Sequence, residues 1–354
     1  MSRSTSSRAT AALLTALCAC AALPAAASAK AQDLKVMTRN VYLGADIIPL
    51  ASAPDRAAFE QAAAQRFQIV LANDFPTRAD ALAGEIQKAK PDVIGVQEAA
   101  IWRRGADGVK DGPQTPATQL VYDSSKQLLQ ALKAAGTPYR EVVGRDWFDF
   151  EAPTALGYDV RLTQRDVILV RRGSKVKVRK AFKRGFTDHF DVPTQAGLAQ
   201  SLRGWVGIDG TLAKKKFRFV STHLEAYSPA IADQQMQQLL KSGGPLASKG
   251  RRSILVGDFN SAPGANANDR GTQRDASAYY SAIDAGFRNP LPRRSTCCFA
   301  EDLHSTADRL ETWIDHVLVR RKIKLLRSGI VGTRQLGGLY PSDHAGIIAT
   351  LRLK

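Results

Sequence analysis

The sequence predicts an α/β fold of two β-sheets with helices outside them, and three features predict it. Short apolar runs that suit buried strands end abruptly at glycine, acid or amide side chains, as in Ser-Ile-Leu-Val-Gly-Asp258-Phe-Asn260. Helix-period segments come in pairs between groups of strands instead of alternating singly with them, which disfavours a doubly wound parallel sheet. No linker-like composition divides residues 30–354, so that stretch is expected to form one domain.

Residues 34–39 alternate and read as the first strand, delivering Asn40 at its end. Residues 55–72 read as a helix with Pro54 and Asp55 near its start, and 78–89 as a second helix stopped by Pro91. Residues 92–96 form a buried strand ending at Gln97 and Glu98. The Gly-, Pro- and Asp-rich stretch 105–116 reads as a loop, and 121–135 as a helix with Gly136 at its end. Strands follow at 165–170, 175–179, 204–209 and 216–222, then a helix at 229–240. A strand at 253–256, a helix at 276–285 and strands at 313–319, 328–332 and 346–352 complete the chain.

The first 29 of the 354 residues read as an export signal and not as fold. Arg3 and Arg8 supply a positive start, 9–22 is rich in Ala and Leu, and Ala27-Ser28-Ala29 is an A-x-A cleavage site. The expected product is secreted, begins at Lys30 and has no membrane-spanning segment. Lipid anchoring at Cys20 is the competing reading, though Cys18 fits such a box poorly. The net charge is +17, and residues 1–29 carry two arginines and no acid, which leaves +15. Such a charge favours encounter with nucleic acid, anionic lipid or phosphorylated small molecules, and arginine-rich surface habit explains it about as well. Only Cys297 and Cys298 remain after the signal; their adjacency argues against a metal site and leaves a vicinal disulfide or two thiols open.

Acid, amide and imidazole side chains recur just past strand ends. They are Asn40, Glu98, His223, the pair Asp258 and Asn260, Asp315 in Trp-Ile-Asp-His, and Asp343-His344 before the last strand. Asp258 and Asn260 are two apart, so on extended backbone they point the same way. A carboxylate that holds water or metal, beside a neutral amide that binds a phosphoryl oxygen, suits metal-assisted phosphoester hydrolysis. A lone histidine after a strand is usually a solvated or capping residue, the reading given to His189 and His304; His316, between Ile314 and Val317, reads as structural.

In this order the motifs Thr-Arg-Asn40, Pro-Asp-Val-Ile-Gly-Val-Gln-Glu98, Ser-Thr-His223, Gly-Asp258-Phe-Asn260, Ile-Asp315-His and Ser-Asp343-His344 resemble the endonuclease/exonuclease/phosphatase superfamily. The resemblance runs from about residue 33 to the C-terminus. It implies a four-layer α/β/β/α sandwich with the site at one edge of two packed mixed sheets. It implies Glu98 as principal ligand of one or two divalent ions, with Asn40 close by and Asp343 a further ligand; oxygen donors suit Mg²⁺ or Mn²⁺. Asp258 would deprotonate the attacking water and Asn260 hold it. His223 and His344 would bind phosphoryl oxygens, and Asp315 would orient His344. The chain departs from the family at Trp313, where many relatives carry arginine, and at His316, where tyrosine is common. A further acid is expected to orient His223, and Asp166 is the candidate.

The resemblance specifies reaction better than substrate. Nucleic acid is the leading substrate, acted on by a monomer; a phospholipid or sphingolipid phosphodiesterase is second, and a phospho-sugar or inositol phosphatase third. A lipid enzyme would want an exposed apolar hairpin, and none is evident. A non-catalytic binding module is the reading of a different class, opposed by the completeness of the motif set. Residues 161–184 hold ten basic side chains against Asp166 alone, and 214–218 adds a second cluster. Both fit a phosphate backbone, and solvated strand faces slightly better. Trp102, Trp147, Phe148 and Phe150 suit stacking on bases or contact with lipid if exposed, and otherwise core packing.

Overall fold

The chain in order forms β1 (Leu34–Asn40), α1 (Ile48–Ala51), α2 (Arg56–Ala72), α3 (Phe75–Ala89), β2 (Val93–Gln97), β3 (Ile101–Arg104), β4 (Gln119–Asp123), α4 (Ser124–Ala134), β5 (Tyr139–Pro153), β6 (Asp159–Arg171), β7 (Lys177–Gly185), β8 (Phe190–Thr194), β9 (Gly197–Ser201), β10 (Gly204–Leu212), β11 (Lys215–His223), α5 (Pro229–Leu240), β12 (Ser253–Asp258), α6 (Ser277–Asp284), β13 (Asp315–Arg320), β14 (Ile323–Val331) and β15 (Gly346–Leu353). The structure, a computed structural model, describes residues 1, 32–105, 117–264, 276–307 and 309–354. The expected export signal beyond Met1, with Cys18 and Cys20, and the expected loop beyond Gly105 lie outside the described residues. Among the described residues no helix is long and apolar enough to cross a membrane.

Two mixed sheets carry the fold. The larger has the order β14-β15-β1-β2-β6-β3-β4, with β5 paired to the other edge of β6. The smaller has the order β13-β12-β11-β10-β7, and β8 and β9 make a separate hairpin. Parallel pairing is confined to β1–β2 and β11–β12; the other described ladders are antiparallel. Side chains from the facing sides interdigitate as the central core, among them Val36, Val93 and Ile168 of the larger sheet with Phe219, Ile254 and Val317 of the smaller. A second apolar layer joins the outer face of the larger sheet to α3 and α4 through Leu82, Ile86, Leu128 and Leu132. A third joins the smaller sheet to α5 and α6 through Met236, Leu239, Tyr279 and Ala282. The result is a four-layer α/β/β/α sandwich.

Local chemistry sets the helix starts. Asp55 Oδ1 accepts from Ala58 N at 2.8 Å to cap α2, and Ser228 caps α5 with Pro229 at its first position. The helix expected at 121–135 begins only at Ser124, because residues 119–123 pair with β3 and Asp123 then accepts from Lys126 N as the cap. The 15-residue β5 is not evident in the sequence: its alternation is broken by two register shifts, at Glu141/Val143 and Asp146/Phe148. The β8–β9 hairpin was also missed, since Pro193 within β8 argues against a strand except at an edge.

Candidate active site

Topology brings the motif residues to one edge. β1, β2, β11 and β12 all end there, delivering Asn40, Glu98, His223 and Asp258; the antiparallel β13 and β15 start there, next to Asp315 and His344. In register, His223 lies opposite Asp258, and Asp258 opposite Asp315. Two adjacent sheets thus contribute side chains to one pocket floor.

Asp258 Oδ2 is the hub. It lies 3.6 Å from His223 Nε2, 3.7 Å from His344 Nε2, and accepts from Asn40 Nδ2 at 3.2 Å. Asn40 Nδ2 also donates to Glu98 Oε1 at 2.9 Å, while its oxygen accepts from Tyr42 N. The amide therefore bridges two carboxylates by its nitrogen. Glu98 Oε2 accepts from Leu43 N at 2.9 Å, and Oε1 stands 3.9 Å from His223 Nε2. Asp315 Oδ2 holds His344 Nδ1 at 2.8 Å, aiming Nε2 at the hub. Glu98, His223 and Asp258 form one group whose ligand atoms lie within 4.8 Å of one another, and Asp258, Asp315 and His344 another. Asp343 is in neither group among the described residues; it is half-buried, accepts from Ser342 Oγ at 3.3 Å, and reaches Glu98 only through its charge.

Two expectations change. The backbone is not extended through Asn260, whose φ is +47°. Its N–H turns back to Asp258 Oδ1 at 2.9 Å and its side-chain amide donates to the Leu224 carbonyl at 3.0 Å. Asp258 so ties up one oxygen in an Asx turn and leaves the other to the site. Asp166 does not meet His223: its Oδ2 accepts from Trp147 Nε1 at 2.9 Å, and Gln164 Nε2 stands 3.5 Å from His223 Nδ1. An amide N–H facing Nδ1 favours the tautomer with its proton on Nε2, pointing at the cleft.

Electrostatics separate the two imidazoles. Burial, helped by Arg203 and His344, holds His223 well below the ordinary histidine range. Burial works against the charged form of His344 too, but Asp315, Asp343 and Asp258 together outweigh it and hold that group well above the range. Asp258 is pushed up to about 7, first by burial and then by the Asp315 charge. Asp343 is pushed up to about 6 by burial against the pull of His344. Crowded buried carboxylates of this kind leave negative charge that a cation would relieve.

Supporting residues lie outside the expected site residues. Arg39 is fully buried; its Nη1 donates to the His344 carbonyl and its Nη2 lies 3.3 Å from Glu85. Arg78, also buried, donates to the carbonyls of Val41, Tyr42, Asn73 and Pro341 and so ties the Asn40 loop to the Asp343 loop. Burial lowers its pKa to about 10. Arg39 lies inside Thr-Arg-Asn40, where the asparagine alone is singled out, and Arg78 is not marked in the sequence by its neighbours. Cys297 and Cys298 are joined as a disulfide, with Cys298 Sγ 3.8 Å from His344 Nε2. His316 is buried away from the hub, and Trp147 lies in the central core.

A cleft of about 1040 Å³ opens over the hub, and Trp102, Phe148 and Phe150 line it. Trp102 and Phe148 are buried in strands, not displayed on loops. Members of the two basic clusters, Lys175, Lys177, Arg179, Lys214 and Lys216, line a second cleft at the far end of the smaller sheet, while Arg161 and Arg165 pair with acids of β5.

Comparison with known proteins agrees with this architecture. No curated protein sequence matches the chain. The crystal structure of D. rerio TDP2 complexed with a single-strand DNA product shares its fold at 18% identity and a TM-score of 0.51, covering 90% of this chain and 99% of that one. The mannosyl-6-phosphatase Bt3783 of Bacteroides thetaiotaomicron VPI-5482 does so at 18% identity and 0.54, over 90% and 99%. An endonuclease/exonuclease/phosphatase family protein from Bacteroides thetaiotaomicron does so at 16% and 0.55, over 92% and 100%. At these identities the likeness carries architecture alone. A profile of the Endonuclease/Exonuclease/phosphatase family matches residues 66–344, a span that takes in Glu98, His223, Asp258, Asp315 and His344. The chain therefore belongs to the endonuclease/exonuclease/phosphatase family, whose members are metal-dependent phosphoesterases and nucleases.

Proposed function

We propose that this protein hydrolyses a phosphoester by in-line attack of water, with a divalent ion bound beside Asp258. The observation that carries the reading is the convergence of an amide and two oppositely tuned imidazoles on the carboxylate oxygen Asp258 Oδ2. The donor set fits a hard cation: Glu98 and Asp258 offer carboxylate oxygens within 4.8 Å of each other, Asp343 adds a further carboxylate whose charge Glu98 feels, and the raised Asp258 and Asp343 carboxyls mark uncompensated charge, while Asn40 turns its nitrogen to the site and holds Glu98 in place. Mg²⁺ or Mn²⁺ bound by these residues would polarise phosphoryl oxygens and offset their charge.

The chain's own groups then divide the work. Asp258 takes a proton from water as the water oxygen bonds phosphorus, and the opposite P–O bond breaks. His344, charged and on the same side as Asp258 with Nε2 3.7 Å from Oδ2, donates from Nε2 to a phosphoryl oxygen. The departing alcohol oxygen on the opposite side takes its proton from solvent, Asp258 returns its proton to solvent, and the cycle consumes one water. Neutral His223 donates from Nε2 to a phosphoryl oxygen. Asn260 keeps Asp258 Oδ2 turned to the water. These contacts strengthen as charge accumulates on phosphorus, which is the condition for lowering the barrier.

The relatives include a complex with a DNA product and a sugar-phosphate phosphatase, so both polymeric and small phosphoesters merit trial. The test measures plasmid DNA, RNA, a lipid phosphodiester and a chromogenic phosphodiester with Mg²⁺, Mn²⁺ or chelator. Turnover should vanish with chelator, and Asp258→Asn or His344→Gln should each lower kcat on the order of 10²–10³-fold. Glu98→Gln should abolish calorimetric Mn²⁺ binding while the far-ultraviolet circular dichroism is unchanged. Full activity in His344→Gln would sink the mechanism.

A further inference from the structure

The catalytic groups occupy one end of the cleft floor, and most of what surrounds the rest is apolar. Each of three strands turns an alternate pair of apolar side chains inward: Phe148 and Phe150 in β5, Val160 and Leu162 in β6, Phe190 and Val192 in β8. Leu43, Ile47 and Leu50, on the segment from β1 into α1, close the remaining side. At the mouth, Ile48 and Tyr227 are 40% and 45% exposed and form an apolar lip.

The cleft carries few cations with which to hold a run of phosphates. Among its described lining residues the arginines are Arg66 and Arg203: Arg66 is paired with Glu301 at 2.8 Å, while Arg203 stands 3.9 Å from Glu225, beyond hydrogen-bond reach, and its buried Nε and Nη1 are the cationic donors left for a phosphoryl oxygen. Lysine does not line it among the described residues. A nucleic-acid strand is held mainly through its phosphates by lysine and arginine. An alkyl chain needs neither charge nor directional bonds, only a dry, shaped wall.

We propose that the substrate is an amphiphilic, lipid-type phosphoester: its phosphate sits over Asp258 and its alkyl or acyl chain lies along this trough. This rests on the phosphohydrolase reading above. Water adds to phosphorus, the P–O bond to the alcohol portion breaks, and that oxygen leaves protonated, with no co-reactant beyond water.

The test uses two homologous series, methyl to dodecyl, below their micellar concentrations and with Mg²⁺ present. Alkyl 4-nitrophenyl phosphodiesters report turnover, and alkylphosphonates, which are not hydrolysed, report binding by calorimetry. At the free energy of burying a methylene, kcat/KM should rise and Kd should fall about fourfold per added carbon over the first several carbons, then level off. Val192→Asp should flatten both slopes. Metal-dependent turnover with no chain-length slope in either series would overturn the lipid-type substrate and leave the hydrolase standing. Plasmid DNA or RNA cleaved with a higher kcat/KM than the dodecyl ester would also overturn it. Absence of turnover on every ester and polymer would remove the hydrolase reading itself, whereas a steep phosphonate slope with slow turnover would uphold the trough.

Discussion

The His316 imidazole is enclosed by rings, with centroids 4.9 Å from Tyr279, 5.0 Å from Phe259 and 5.4 Å from Trp313. One polar partner is near, the Ser261 carbonyl, 2.9 Å from Nε2. That contact needs a proton on Nε2 and leaves the neutral ring as the form the site accommodates. Burial lowers the pKa to about 4, against the smaller opposing pulls of Ser261 and Asp315. The folded value lies below the unfolded one near 6.5, so between these values the unfolded chain binds more protons and stability rises with pH. The contribution is complete above about pH 6.5 and is lost as pH falls toward 4, a difference on the order of 3 kcal/mol. His316→Gln keeps an N–H for Ser261 but does not titrate. The stability gap between the protein and this variant, from urea unfolding at pH 7.5 and 4.5, should therefore move by roughly 2–3 kcal/mol in the variant's favour at the lower pH. An unchanged gap would mean that His316 is not held neutral. The same residue shows why family pattern and physics need separate reading: a side chain that departs from the common tyrosine beside Asp315 packs the core and leaves the hub untouched.

At the scale of elements, the parallel pair β11–β12 is the part of the site most exposed to backbone change. Gly257 lies opposite Thr222 with φ +140°, and a Cβ there would meet the Thr222 carbonyl oxygen at 1.9 Å. No rotamer relieves a clash with backbone, so Gly257→Ala should separate the strands that carry His223 and Asp258. It should cost more than about 3 kcal/mol in unfolding free energy, or leave the protein insoluble. Wild-type stability in Gly257→Ala would show that the two strand ends have slack. Much of this site was legible because a strand end is a local event: an apolar run, a glycine, then Asp258 or Glu98. What was not legible depends on pairing between distant segments. Gln164 faces His223 only because β6 and β11, from different sheets, pack against each other, and the Asp166 expectation failed for that reason. The left-handed Glu98 and Asn260, at φ +56° and +47°, carry no sequence signal, since neither residue type demands that conformation. The β8–β9 hairpin that walls the cleft was hidden by Pro193, which an edge strand tolerates.

Across the whole molecule, charge and catalysis are segregated along the strands. Lys214 and Lys216 sit where β11 begins and His223 where it ends. At about 3.3 Å per residue a strand of this length separates the two by roughly 25 Å. The order along the chain already implies this, because the basic run precedes the strand and the histidine follows it. Lys175, Lys177, Arg179 and Arg251 join the same far cleft, of about 930 Å³, where Asp209 is the acid and is already paired with Arg218 and Arg251. A group of positive side chains with one acid among them therefore lies where no motif residue does. Polyanion affinity and hydrolysis should come apart in consequence. Replacing Lys175, Lys177, Lys214 and Lys216 together by Glu should leave kcat/KM for a small soluble phosphodiester within about twofold, since screening over a Debye length of about 10 Å isolates the catalytic end. In the same variant the slope of log binding constant for duplex DNA against log salt should fall in magnitude by about 3 to 4, near 0.9 for each lost phosphate contact. An unchanged salt slope would return these lysines to the status of a solvated surface. A large loss of small-ester hydrolysis would mean that the two ends communicate through the sheet.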